Sequence, residues 1–128
     1  MKLLLDTHAF LWWLDGDRRL PVRMRKFIDD DSNTVFVSAA SAWEIATKVR
    51  LGRLPGAADV AADIGAAIAS QGFTALDMAV RHAQKAGLLP GPHRDPFDRM
   101  LIAQSHIEDL PIVSNEDVFD EYGVNRMW

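Results

Sequence analysis

Asp6, Glu44, Asp98 and Glu116 are the side chains of this sequence best suited to chemistry, because each is an acid set against apolar residues in a separate segment. Asp6 follows Leu3-Leu4-Leu5 and is the only formal charge between Lys2 and Asp15. An acid flanked in this way is costly to desolvate unpaired. It therefore caps the helix that follows, sits in a cleft, pairs with a base or binds a cation. Glu44 is the single charge in the sixteen residues from Ser32 to Thr47. An exposed pair with Lys48 at i+4 would add only a few tenths of a kcal/mol and would leave those apolar surroundings unexplained. The better reading is a carboxylate turned inward near a helix start. In Asp95-Pro96, Asp95 suits an N-cap and Pro96 the first helical position. That leaves Asp98, one turn on and just ahead of Met100-Leu101-Ile102-Ala103, for a site. Ser114-Asn115-Glu116-Asp117 follows an apolar strand, with Ser114 or Asn115 as the cap. Glu116 or Asp117 then faces the cleft, and Glu116 is preferred.

Four carboxylates gathered at one place repel unless a cation neutralises them. Oxygen donors without His or Cys suit Mg²⁺, with Mn²⁺ possible, and such ions keep waters and bind substrate phosphates. The chemistry that follows is hydrolysis of a phosphodiester by metal-activated water. Competing chemistries lack their residues. There is no cysteine, which excludes a disulfide scaffold, Cys-ligated zinc and a thiol nucleophile. No two histidines stand at i, i+4, and His8, His82 and His106 read as packing or surface groups. Gly87 and Gly91 are isolated, so no glycine-rich loop cradles a phosphate.

The elements that must position these acids alternate. Strands are expected at Lys2 to Asp6, Thr34 to Val37, Phe73 to Leu76 and Leu110 to Val113. Helices are expected over His8 to Leu14 with Thr7 as cap, from Pro21 to about Asp29, and from a Ser38 or Ser41 cap to about Gly52. Further helices cover Ala57 to Ser70, Met78 to Gly87, and Asp95 to about Glu108, with a short one near Asp117 before a terminal tail. Such alternation predicts an α/β fold with a mainly parallel sheet covered on both faces. Ligands of these sheets bind beyond the carboxyl ends of the strands, where Asp6 and Glu116 fall.

The 128 residues suit one domain over 1–128. With 48% apolar and 25% charged residues, the chain is neither disordered nor a coiled coil. Asp6 interrupts the first apolar run and no stretch is long enough to span a bilayer, so a soluble, cytoplasmic protein is expected with no membrane partner. The net charge of −4 argues against a protein that simply coats nucleic acid. Nine of the fourteen Lys and Arg nevertheless lie in residues 1–53, including the run Arg18 to Lys26. That run reads as a solvated helix face, or as an edge that contacts phosphate if a nuclease site lies nearby.

Taken together, Leu4-Leu5-Asp6-Thr7-His8, Ser41-Ala42-Trp43-Glu44-Ile45, the run His93 to Gln104 containing Asp95-Pro96-Phe97-Asp98-Arg99, and Ile112-Val113-Ser114-Asn115-Glu116 resemble the PIN-domain ribonucleases. The likeness is to the VapC-type toxins of toxin–antitoxin pairs, and it spans essentially the whole chain. It implies a three-layer α/β/α sandwich, core acids at Asp6, Glu44 and Asp98, and a fourth acid at Glu116 beside Asp117. It also implies hydroxyls at Thr7 and Ser114 next to a Mg²⁺ or Mn²⁺ site, and an RNA substrate. Homodimers, inhibition by a VapB-type antitoxin, and operator DNA bound through the antitoxin complex are implied as well. Two other readings remain open. One is a phospho-acceptor receiver domain, although the strand ending at Val37 lacks the acid it needs. The other is a catalytically silent PIN binding module.

Overall fold

Leu3, Leu4 and Leu5 are all fully buried, which is what a strand covered on both faces requires. They form β1 (Lys2–Leu5), at the centre of a five-stranded sheet. The computed structural model describes all residues, 1–128. Beside β1 lie β2 (Thr34–Ser38) and then β3 (Thr74–Leu76) on one side, and β4 (Ile112–Val113) and then β5 (Arg126–Met127) on the other. Every pairing is parallel. The order β3-β2-β1-β4-β5 reverses direction beside β1, so the crevice at the carboxyl ends of β1 and β4 is the switch point of the sheet.

Alternate side chains of the strands build two cores. Leu3, Leu5, Val35 and Val37 pack with Phe10 and Leu11 of α1 (Thr7–Asp15) and with Met24 and Ile28 of α2 (Val22–Asp29). Leu4 and Ile112 face the other way, against Leu101 and Ile102 of α7 (Pro96–Glu108) and against Phe119. The α/β expectation with a parallel sheet therefore holds, with an apolar layer on each face. No helix is long and apolar enough to cross a membrane.

Three local readings change. Residues 57–70 are not one helix. A 3₁₀ turn leads into α4 (Ala58–Ala62), and Asp63 then ends it and caps α5 (Ile64–Ser70) by accepting from the Ala66 amide at 3.0 Å. The terminal tail carries β5, too short to show a two-residue period. Asp6, not Thr7, is the N-cap of α1.

The helices that bear acids are tied together by a buried amide. Ser38, at the end of β2, caps α3 (Ala39–Arg50) through the Ala40 amide at 3.0 Å. Its hydroxyl donates to Gln104 of α7 at 2.5 Å, and Gln104 in turn donates to the Asp77 carbonyl at 3.2 Å. Gln104 is completely buried. Gln104→Leu strands the Ser38 hydroxyl and the Asp77 carbonyl, so a loss of about 1–3 kcal/mol is expected from denaturant titration. A neutral outcome would mean that this network does not hold α3 to α7.

Candidate active site

The sheet places Asp6 one residue beyond β1 and Ser114 one residue beyond β4, side by side at the switch point. Asp6 is buried, and its Oδ1 accepts the Ala9 amide at 2.7 Å, as an N-cap should. Burial nevertheless pushes its carboxyl up to about 7. The Ser114 hydroxyl and the Ala9 amide work the other way, and the charges of Glu116 and Glu44 add to the rise. Ser114 is completely buried, and its Oγ accepts the Glu116 amide at 3.0 Å.

Glu44 comes from the first half of α3, which crosses near α1, and it is buried as expected. Its Oε1 accepts the Thr7 hydroxyl at 2.6 Å, and Thr7 Oγ1 is 3.0 Å from Ser41 Oγ. Its Oε2 pairs with the Lys48 ammonium one turn along. The i+4 pair set aside from the sequence therefore exists, but with a buried carboxylate rather than an exposed one. Burial works against the charge on Lys48. Glu44, Asp95 and Asp98 outweigh it and hold the ammonium above its ordinary value.

Asp95 caps α7, accepting the amides of Phe97 and Asp98 at 2.9 and 3.0 Å. Asp98 is thereby left to face the acids. Burial pushes its carboxyl up to about 6. A hydrogen bond from His93 opposes the rise, while Asp95, Glu116 and Glu44 reinforce it. His93 Nε2 lies 2.9 Å from Asp98 Oδ2. Glu116 is half-buried, with His8 Nδ1 at 3.8 Å, whereas its neighbour Asp117 is exposed.

Glu44 and Glu116 thus lie close enough to both Asp6 and Asp98 to add to the rise in those two carboxyls, and Lys48 is the cation paired among them. The donor set fits a hard divalent cation, being carboxylate oxygens with surplus negative charge and little water. As they stand, no three of these side chains form a ready coordination group. Three of the four are engaged within the protein: Asp6 by its helix, Glu44 by Thr7 and Lys48, and Asp98 by His93.

Sequence pattern alone assigns His93 no role of its own and discounts Lys48. A histidine five residues before an acid, on the far side of the Asp95 helix cap, carries no periodic signal. Arg19 from the basic run pairs with Asp17 at 2.8 Å and stacks 4.8 Å from the Trp12 ring, while Arg18, Arg23 and Lys26 stay exposed.

Fold and acids together define a small parallel α/β domain with a carboxylate-lined switch point. The chain belongs to the PIN-domain family, whose model matches residues 3–125. PIN domains are generally nucleases. No curated protein matches the sequence. Among solved structures, the chain is similar to one in the crystal structure of VapBC2 from Rickettsia felis bound to a DNA fragment from their promoter. That match has a TM-score of 0.72 and 15% identity over 99% of this chain and 98% of that one. It is also similar to a chain in the structure of FitAB bound to an IR36 DNA fragment, with a TM-score of 0.68 and 17% identity over 99% and 94%. Membership of this family sets aside the receiver-domain reading, and β2 ends on Ser38 rather than on an acceptor aspartate.

Proposed function

We propose that the chain, one domain over residues 1–128, is a Mg²⁺- or Mn²⁺-dependent endoribonuclease of the VapC toxin type, acting in the cytoplasm. The observation that carries this reading is the gathering of acids from four segments at the switch point, with Asp6 and Asp98 both raised. Asp6, Glu44 and Asp98 would hold the ion, with Glu116 completing the set and Asp117 at its edge. When bound, a divalent cation supplies charge neutralisation at the phosphodiester and a water acidic enough to attack at neutral pH.

The protein's own groups do the remaining work. The Ser114 hydroxyl and the start of α1 hold the Asp6 carboxylate in place. Thr7 and Lys48 fix the two oxygens of Glu44. The sheet and both helices exclude bulk water from beneath the acids, so that fixed charges act through a low dielectric.

Likeness to chains of VapBC2 and FitAB assemblies bound to DNA supports a VapB-type antitoxin as partner and operator DNA reached through the antitoxin complex, and a homodimer belongs to the same proposal. The internal engagement of Asp6, Glu44 and Asp98 favours one further reading, a PIN module that binds RNA without cutting it. Cleavage mapping on total RNA, with Mg²⁺ or Mn²⁺ and with EDTA, separates the two. Metal-dependent ends are expected from the parent and at least about a hundredfold fewer from Asp98→Asn. Equal cutting in EDTA, or by Asp98→Asn, overturns the nuclease reading.

A further inference from the structure

Arg99 follows Asp98 on α7, yet no carboxylate lies within ion-pairing distance of it. Its guanidinium instead gathers three backbone carbonyls: Ala86 at 3.0 Å from Nε, His93 at 3.0 Å from Nη1, and Leu89 from Nη2. Ala86 lies in the last turn of α6 (Val80–Leu88), and Leu89 is its C-cap. A helix end leaves its last carbonyls unsatisfied and carries partial negative charge, so a planar cation is well placed there. Lysine, a point charge without a fork, cannot reproduce three bonds in one plane.

The same loop is held from its other side. The Tyr122 hydroxyl accepts the His93 amide at 3.1 Å. Gly91, at φ 106°, passes so close to Tyr122 that a Cβ there would lie 2.6 Å from the hydroxyl oxygen. Arg99 and Tyr122 thus clamp residues 89–93 between α6 and the segment after β4. The product of that clamp is one contact inside the acid cluster, His93 Nε2 to Asp98 Oδ2 at 2.9 Å. An ionised carboxylate only accepts, so Nε2 carries the proton and the ring donates.

We propose that His93 is a positioning residue for Asp98, and that Arg99 and Tyr122 are the brace that keeps it there. The ring occupies one carboxylate oxygen, Oδ2, and fixes the side chain, leaving Oδ1 outside that bond. This inference rests on the metal-dependent nuclease reading of the same site, and its test separates the two. Partners of this kind typically set metal affinity or activity by about 10- to 100-fold.

The probe is Mn²⁺ alone, titrated into the full chain by electron paramagnetic resonance, alongside kcat and KM on an RNA substrate. His93→Ala should weaken Mn²⁺ binding and lower kcat, each by about 10- to 100-fold, with KM changed by less than about threefold. Free imidazole should recover at least about a fifth of the lost kcat in His93→Ala and none in Asp98→Asn, a rescue that a purely structural role would not give. Arg99→Lys should move Mn²⁺ affinity in the same direction. Where thermal melts show His93→Ala unfolded, His93→Gln takes its place. Its donor should keep Mn²⁺ affinity within about tenfold of the parent and above that of Arg99→Lys. Mn²⁺ binding and kcat within about threefold of the parent in a folded His93→Ala overturns the proposal, as does failure of imidazole rescue. A parent that binds Mn²⁺ but cuts no RNA sinks the nuclease reading and leaves the Mn²⁺ series to decide the brace. A parent that binds no Mn²⁺ overturns both.

Discussion

Asp6→Asn is expected to give a metal-free protein that is more stable than the parent at pH 8 and nearly devoid of metal-dependent cleavage. The folded state lifts the Asp6 carboxyl from 3.8 to about 7, chiefly by burial. Between those values the folded chain binds the proton more tightly than the unfolded one, so stability falls as pH rises through the window. Above pH 7 the penalty is complete, and at 1.36 kcal/mol per unit it reaches up to about 4 kcal/mol. Asparagine carries no charge and its Oδ1 still accepts the Ala9 amide, so the variant keeps the cap and loses the penalty. The stability difference should therefore be largest near pH 8 and close to zero near pH 4, as read by denaturant midpoints. Mg²⁺ should raise the melting temperature of the parent at pH 8 and leave the variant's unchanged. A variant less stable than the parent at pH 8 would show that this carboxylate is not strained, and the case for a cation-demanding pocket would fail with it.

Phe10→Ala carries the largest expected loss of stability. Phe10 is completely buried on α1 and meets the Phe73 ring at a centroid distance of 6.4 Å. Truncating such a side chain costs about 3–5 kcal/mol, counting both lost transfer energy and the remaining cavity. That is a large fraction of the roughly 5–15 kcal/mol that holds a domain together. Because α1 begins at Asp6 and carries Thr7, loosening its seat should also spread the positions of Asp6 and Glu44. Urea titration should show the midpoint falling at constant slope. A cost below about 1 kcal/mol would mean that α1 is not anchored through this ring.

Strands β1 to β4 and most helices are legible because their signals are local: Leu3-Leu4-Leu5 is apolar throughout, and Asp95-Pro96 announces its own helix. Acids stranded in apolar sequence, such as Asp6 and Glu44, are legible for the same reason, since an isolated charge there demands a partner. What stays hidden depends on residues that meet only after folding. Lys48 looks like the surface half of a helical pair until α1 and α7 close over Glu44. Asp63 looks like one polar residue in a helix of small ones, although its side chain bonds ahead to Ala66 and restarts the chain as α5. The strand β5 is defined by its pairing with Ile112 and Val113 rather than by any pattern of its own.

The sheet tapers to three residues at β3 and two at β5. An incoming chain that added itself as a sixth strand would find only a few free backbone groups to grip. Recruitment by main-chain zippering is therefore closed to this molecule, and so is runaway stacking of its copies edge to edge. A protein that docks on it has to recognise side chains rather than strand edges, and recognition of that kind can be rewritten by surface substitution without disturbing the floor on which the acids stand.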